Sequence, residues 1–246
     1  MGTGRPGVVL VHGFGHGAWC WQYLMPYLDG PALAVDLPGR AGRPAPAEPT
    51  FRDYADAVIQ DIEAADFDEV ILVGHSLAGA MLPLVAHRLH RKTWHMIFIA
   101  APVLMPGEDA FSIFAFPRQQ IARAFTRAAT RGQPQPRKLP DQLARRQLCN
   151  DMNAQQTAFL LSNLVPEHLA ITLERASVTV ADLPDTPASY VRPLRDATLK
   201  PSIQATLAAR LGRNVHAIDV DAGHDVMITR PVQLAEIING IAGRYR

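Results

Sequence analysis

An apolar, strand-like run at Val70 to Val73 turns through Gly74, His75, Ser76, Leu77 and Ala78 into the helix-like run LAGAMLPLVAHRLH. This junction constrains the fold more than any other stretch. A strand that enters a helix through so few residues places the intervening serine on a sharp turn. Its hydroxyl is then held out from the backbone, with a helix N-terminus behind it. The junction predicts a serine nucleophile carried by a chain that alternates strands and helices.

Other segments fit that alternation. Apolar runs recur at Gly7 to Val11, Ala32 to Val35, Met96 to Ala100, Ala188 to Val191 and Val215 to Val220. Several are continuously apolar rather than alternating, which suits parallel strands covered on both faces. Between them, Phe51, Tyr54, Ala55, Val58, Ile59 and Ile62 fall at helical spacing, and Thr50 with Asp53 fits a capping box at the start. The last helix is expected from Pro231 through Leu234, Ile237, Ile238 and Ile241. Together these predict an α/β fold with a doubly wound, mostly parallel sheet.

The interval from Pro106 to Asp182 breaks the rhythm. It offers no convincing buried strand, carries the basic, proline-rich RGQPQPRKLP, and has helical pieces around Ile113 to Ala129 and Ala154 to Leu164. We expect a helical cap at 106–182 inserted into a core made of 1–105 and 183–246. Pro83, inside the helix after Ser76, is expected to kink it.

The 246 residues, 48% of them hydrophobic, suffice for one sizeable core. A formal charge of +1, from 24 basic and 23 acidic residues, argues against nucleic acid or an electrostatic membrane anchor as partner and for a small, largely uncharged molecule. The two cysteines, Cys20 and Cys149, stand in no CxxC or metal-ligand spacing, so neither a disulfide framework nor a metal site is expected. The apolar run near the N-terminus is too short for a signal-peptide core or a membrane span, and a cytoplasmic location is expected.

A serine hydroxyl needs a base within hydrogen-bond reach and a third group to orient that base. Asp196, in the loop after ASYVRPL, and His224, in DAGHDVM after NVHAIDV, both lie just beyond strand ends, where ligands gather in open α/β sheets. Asp185, Asp221 and Asp225 are nearby alternatives for the acid. The oxyanion formed by attack on a carbonyl needs fixed donors. The backbone NH groups of Leu77 and of Phe14, in the His12, Gly13, Phe14, Gly15 turn, are the candidates.

At VLVHGFGHGAWCW, GHSLAG, DLPG and AGHDVM the chain resembles the α/β-hydrolase superfamily, in particular the branch of plant methylesterases, hydroxynitrile lyases and related bacterial esterases. The most diagnostic part is His16, Gly17, Ala18 and Trp19. Across the cap only Asn150 and Asp151 align, as residues that could cap the following helix. In this superfamily the triad runs serine, acid, histidine along the chain. The resemblance therefore implies a serine carboxylesterase using Ser76, Asp196 and His224, with no cofactor. Ala78 replaces the second glycine of the usual elbow, and being small it should leave the turn intact. The lyase members carry threonine at the place of Gly13 and lysine at the place of Asp225, so cyanohydrin cleavage is disfavoured.

Phe111, Phe114, Phe116, Phe125, Phe159, Leu160 and Leu164 are enough for an apolar lid over a hydrophobic or aromatic ester. Arg118, Arg123, Arg127 and Arg131 are expected on one solvated helix face. Lactone or amide hydrolysis, perhydrolysis and a receptor with little turnover are the alternatives, and a homodimer is the candidate state of association.

Overall fold

The computed structural model describes residues 5–89, 93–132, 135–212 and 215–245. The end of the expected helical run at His90 and part of the RGQPQPRKLP stretch fall outside these. Six strands, β1 (Gly7–Val11), β2 (Ala32–Val35), β3 (Val70–His75), β4 (Thr93–Ile99), β5 (Ala188–Pro193) and β6 (His216–Val220), form one sheet in the order β2-β1-β3-β4-β5-β6. Every adjacent pair is parallel.

Each buried strand sends alternate side chains to opposite faces, which makes two cores. Val9, Val11, Leu72 and Phe98 pack with α1 (Phe51–Ala64), α2 (Leu82–Arg88) and Leu207 and Ala208 of a later helix. Val8, Leu10, Ile71, Val73 and Ile97 pack on the other side with Trp21 and the C-terminal helices. Helix α1 starts where the sequence predicts, because Thr50 and Asp53 close a reciprocal capping box. It buries Tyr54, Val58, Ile59 and Ile62 along one stripe. Each fully buried aliphatic side chain of this kind contributes about 1.5–3 kcal/mol.

The chain goes from β1 to β2 on one side, then crosses to β3 on the other, so the strand order reverses between β1 and β3. Crevices form at the carboxyl ends of strands at such a switch point. The register Val11↔Gly74 sets the turn after β1 directly beside Ser76.

Proline 83 does not kink a continuous helix. The chain after β3 first forms a 3-10 turn, Ser76–Ala80, and α2 begins only at Leu82, so Pro83 sits in a first turn where a missing N–H costs nothing.

Between β4 and β5 the chain forms α3 (Arg118–Thr130), α4 (Asp141–Gln147) and α5 (Ala154–Asn163), with 3-10 turns at Leu169–Leu173 and Val180–Asp182. This crossover segment is tied to the sheet by a Val165 N–H bond to the Gly15 carbonyl (2.9 Å) and a Phe51 N–H bond to Glu174 Oε2 (2.6 Å). A buried cluster adds to the tie: Glu167 pairs with Arg40 and accepts from the Tyr54 hydroxyl at 2.7 Å.

The expected apolar lid divides. Leu160 and Leu164 are buried in the second core, and Phe159 packs edge-on against Trp19 and Tyr23. Phe116 and Phe125, by contrast, point to solvent with exposures of 76% and 72%. The helical piece expected from Ile113 starts only at Arg118, and Arg123 leaves the solvated face to pair with Asp109 at 2.7 Å.

After β5 come α6 (Pro201–Ala209), then, beyond β6, α7 (Val226–Thr229) and α8 (Pro231–Ala242), the last opening at Pro231 as predicted. Cys20 and Cys149 are both free and buried.

Candidate active site

Serine 76 stands at the carboxyl end of β3 with φ of 50°, a left-handed conformation that a non-glycine residue adopts at a cost of about 1–3 kcal/mol. Close packing imposes it. A side chain at Gly74 would come within 2.9 Å of Leu82, and one at Gly79 within 2.6 Å of the Pro102 carbonyl, so small residues let α2 fold back onto the strand. Ala78, at the usual second glycine, is buried and the turn forms around it.

His224, in the loop after β6, places Nε2 3.0 Å from Ser76 Oγ and Nδ1 2.8 Å from Asp196 Oδ2. Asp196 is held in turn by four donors. Its Oδ1 accepts from the N–H groups of Thr198 (2.7 Å) and Leu199 (2.8 Å), and its Oδ2 accepts from Gln204 (3.1 Å) as well as His224. The three residues expected from the sequence thus form one hydrogen-bonded line. Among the alternative acids, Asp225 turns away to His16, Asp221 pairs with Arg195 on the surface, and Asp185 contributes nothing to this line.

Burial works against charging His224, but the adjoining Asp196 carboxylate outweighs it, with help from Asp225. The net effect holds the imidazole above the ordinary histidine pKa of 6.5. A raised pKa makes His224 a stronger proton acceptor for the Ser76 hydroxyl.

The Gly13 turn lies against Ser76. A Cβ at Gly13 would meet Ser76 Cβ at 2.7 Å and the His75 carbonyl at 3.0 Å, so only glycine fits. Gly13, Phe14, Leu77 and Ala78 share one small cavity, of about 10 Å³, whose far wall includes Tyr54 and Glu167. The two residues expected to supply oxyanion donors, Phe14 and Leu77, thus line one cavity.

Several residues to which the sequence gives no bracing role support this line. His16 has Nδ1 2.8 Å from the Phe14 carbonyl and Nε2 2.8 Å from Asp225 Oδ1, and both side chains are buried. Burial alone would raise the Asp225 pKa, but the contact with His16 above all holds it down to about 2, so Asp225 is a carboxylate. This buried contact clips the residue after His224 to the turn after β1. His75 donates from Nε2 to the His224 carbonyl at 3.1 Å and, desolvated beside His224, has its pKa lowered to about 3, so it is neutral.

Asn150 and Asp151 do not cap the following helix, which is capped by Asn153. Instead Asn150 donates to the Arg195 carbonyl (2.8 Å), next to Asp196, and Asp151 accepts from the Gly223 N–H (2.7 Å), next to His224. The signal for His16 and Asp225 was their position beside the oxyanion turn and the base. For Asn150 and Asp151, no local signal distinguished bracing from capping. Among the described residues, no group of His, Cys, Asp and Glu side chains is arranged to hold a metal.

Known proteins share this architecture. An extracellular alpha/beta-hydrolase from a Paenibacillus species superposes with a TM-score of 0.82 at 20% identity, covering 96% of this chain and 98% of that one. In sequence, the chain is 37% identical over 113 residues to "Putative methylesterase 12, chloroplastic" of Arabidopsis thaliana, and 38% identical over 99 residues to norfluorocurarine synthase 1 of Strychnos nux-vomica. These matches span 44% and 38% of this chain but only 32% and 37% of the relatives' lengths. The alpha/beta hydrolase family model matches residues 8–237, nearly the whole sheet and everything between its strands. With that span and the elbow geometry at Ser76, the chain belongs to the alpha/beta hydrolase family.

Proposed function

We propose that the chain is a serine carboxylesterase that cleaves a small hydrophobic or aromatic carboxylic ester through an acyl-enzyme. The observation that carries this reading is the line Ser76 Oγ, His224 Nε2, His224 Nδ1, Asp196 Oδ2, with contacts of 3.0 and 2.8 Å. His224 takes the Ser76 proton as Oγ attacks the ester carbonyl, and Asp196 fixes the tautomer and offsets the imidazolium charge. The Phe14 and Leu77 N–H groups receive the oxyanion, each donor being worth on the order of 100 to 1000-fold in rate. Collapse expels the alkoxide, which leaves as the alcohol with the proton from His224. Water, deprotonated by His224, then attacks the acyl-enzyme and releases the acid.

Similarity to a named methylesterase supports ester chemistry, and the cavity beside Phe14 and Leu77, with room for about one water-sized group, favours a small substituent on that side of the carbonyl. Cyanohydrin cleavage is disfavoured, because Gly13 offers no hydroxyl and Asp225 puts an anion, already paired to His16, where a lyase carries a cation.

The test is p-nitrophenol release from acetate, butyrate and octanoate esters by the wild type and by Ser76→Ala. Saturable turnover that disappears in the variant and falls with acyl length supports the proposal. Folded wild type without turnover, or equal turnover by both, contradicts it.

A further inference from the structure

Helix α3 is inside out. Its inward stripe, Gln119, Ala122, Arg123 and Thr126, is small and polar, and Arg123 there serves the Asp109 carboxylate at 2.7 Å. Its outward stripe is Ile121, Ala124, Phe125 and Ala128, at the i, i+3, i+4, i+7 spacing of a single helix face. Ile121 is 66% exposed and Phe125 72%, and Phe116, just before the helix, 76%. Together these three side chains present on the order of 400 Å² of apolar surface, in the size range of the largest patch on a typical monomer, which is often functional.

The charge around the stripe is one-sided. From Phe116 to Pro140 there are six Arg or Lys residues and no Asp or Glu, although the whole chain is nearly neutral. By helical position, Arg118 borders the stripe on one side and Arg127 and Arg131 border it on the other, all three exposed. Among the described residues Arg127 and Arg131 enter no ion pair, and Arg118 lies over the Phe114 ring at 4.3 Å. The near-neutral total, from which the sequence argument expects no membrane surface, averages this segment against acids elsewhere.

We infer that α3 is an interfacial helix that docks the protein on an anionic lipid surface, with Phe116, Ile121 and Phe125 in the boundary between headgroups and acyl chains and Arg118, Arg127 and Arg131 among the headgroup phosphates. An apolar ridge flanked by cations is the pattern that lies in such a boundary. The ridge is convex, so a protein partner would have to bring both a fitted groove and acids, whereas a headgroup layer supplies both without a preformed shape. A second copy of this chain would bring the same arginines against these, and like charges repel. Membrane spanning is not implied, since among the described residues no helix is long and apolar enough to cross a bilayer.

The experiment is flotation of the purified chain with vesicles of equimolar phosphatidylcholine and phosphatidylglycerol, and with phosphatidylcholine alone, at low and high salt. Binding is read without any ester, so its outcome is independent of the esterase proposal. The wild type is expected to bind the mixed vesicles at least tenfold more tightly than the neutral ones and to release them in salt. The double variant Ile121→Ser, Phe125→Ser should lose at least tenfold in affinity with p-nitrophenyl acetate turnover and Tm unchanged. The triple variant Arg118→Gln, Arg127→Gln, Arg131→Gln should lose about fivefold per arginine. Equal binding to both vesicles, or undiminished binding by the double variant, overturns the inference. So does a wild-type dimer in sedimentation that the double variant converts to monomer without any vesicle binding, which would assign the ridge to a second copy.

Discussion

Asp225→Asn removes one half of the buried pair that joins the base loop to the oxyanion turn. The carboxylate is fully buried with Oδ1 2.8 Å from His16 Nε2, and its pKa is held at about 2 against an ordinary 3.8. That depression alone corresponds to about 2 kcal/mol of stability at neutral pH. Because the folded pKa is the lower one, this stability is present above the ordinary value and is lost as pH falls through about 2. Removing the acid also leaves the buried His16 Nε2 without its carboxylate partner, and orphaning a buried polar group costs about 1–3 kcal/mol. We expect a loss of about 2–4 kcal/mol, or on the order of 5–10 °C in Tm for a domain of this size. The slackened Phe14 carbonyl should lower kcat about tenfold with KM little changed, since its effect falls on a donor used in the transition state. Thermal and urea unfolding of Asp225→Asn, His16→Asn and the double variant, with ester kinetics on each, make the assay. If the two single variants lose less than about 0.5 kcal/mol, or their effects simply add, the pair is not the clip described here.

Other consequences follow from the same geometry. Gly13→Thr would drive a Cβ to within 2.7 Å of Ser76 Cβ, and should lower kcat/KM at least 100-fold while the protein remains folded by circular dichroism; retained activity would refute the contact. The acid limb of the pH dependence of kcat/KM should have its midpoint above 6.5, because a base with a raised pKa gains function only as pH rises through that value, and Asp196→Asn should move it to lower pH while cutting kcat by on the order of 10,000-fold. A wild-type midpoint below 6.5 would contradict this. Asp151→Ala orphans the Gly223 N–H next to the base, and should cost about 1–3 kcal/mol in urea unfolding together with a roughly tenfold drop in kcat/KM; unchanged values would show that the 2.7 Å bond does not brace His224.

The parts of this molecule that were legible in the sequence are those set by short-range rules. The elbow at Ser76 is local, since the strand, the small residues and the following helix are contiguous. The partners Asp196 and His224 were legible because a parallel sheet brings its loops to one edge, so position after a strand end is enough to nominate a residue. Residues joined only by tertiary packing were not. His16 meets Asp225 and Glu167 meets Arg40 across the fold, and nothing in either neighbourhood announces the partner. Asn150 and Asp151 look like a helix start because their side chains suit caps, yet Asn153 takes that place and they reach to loops 45 and 72 residues away. Helix α3 shows a different limit. Its 3.6-residue period reveals the apolar stripe, but the usual assumption that such a stripe faces inward sends Phe125 the wrong way, since the inward face here is claimed by the Arg123 and Asp109 pair.

The central claim is that Ser76 is a nucleophile activated by His224. Its most direct test is stoichiometric labelling with diethyl p-nitrophenyl phosphate, followed by peptide mass spectrometry. The account predicts one diethylphosphoryl group per chain on the peptide bearing Ser76, none on Ser76→Ala, and labelling slowed by orders of magnitude in His224→Ala. A folded wild type that takes no label, or takes it at a residue other than Ser76, would contradict the account.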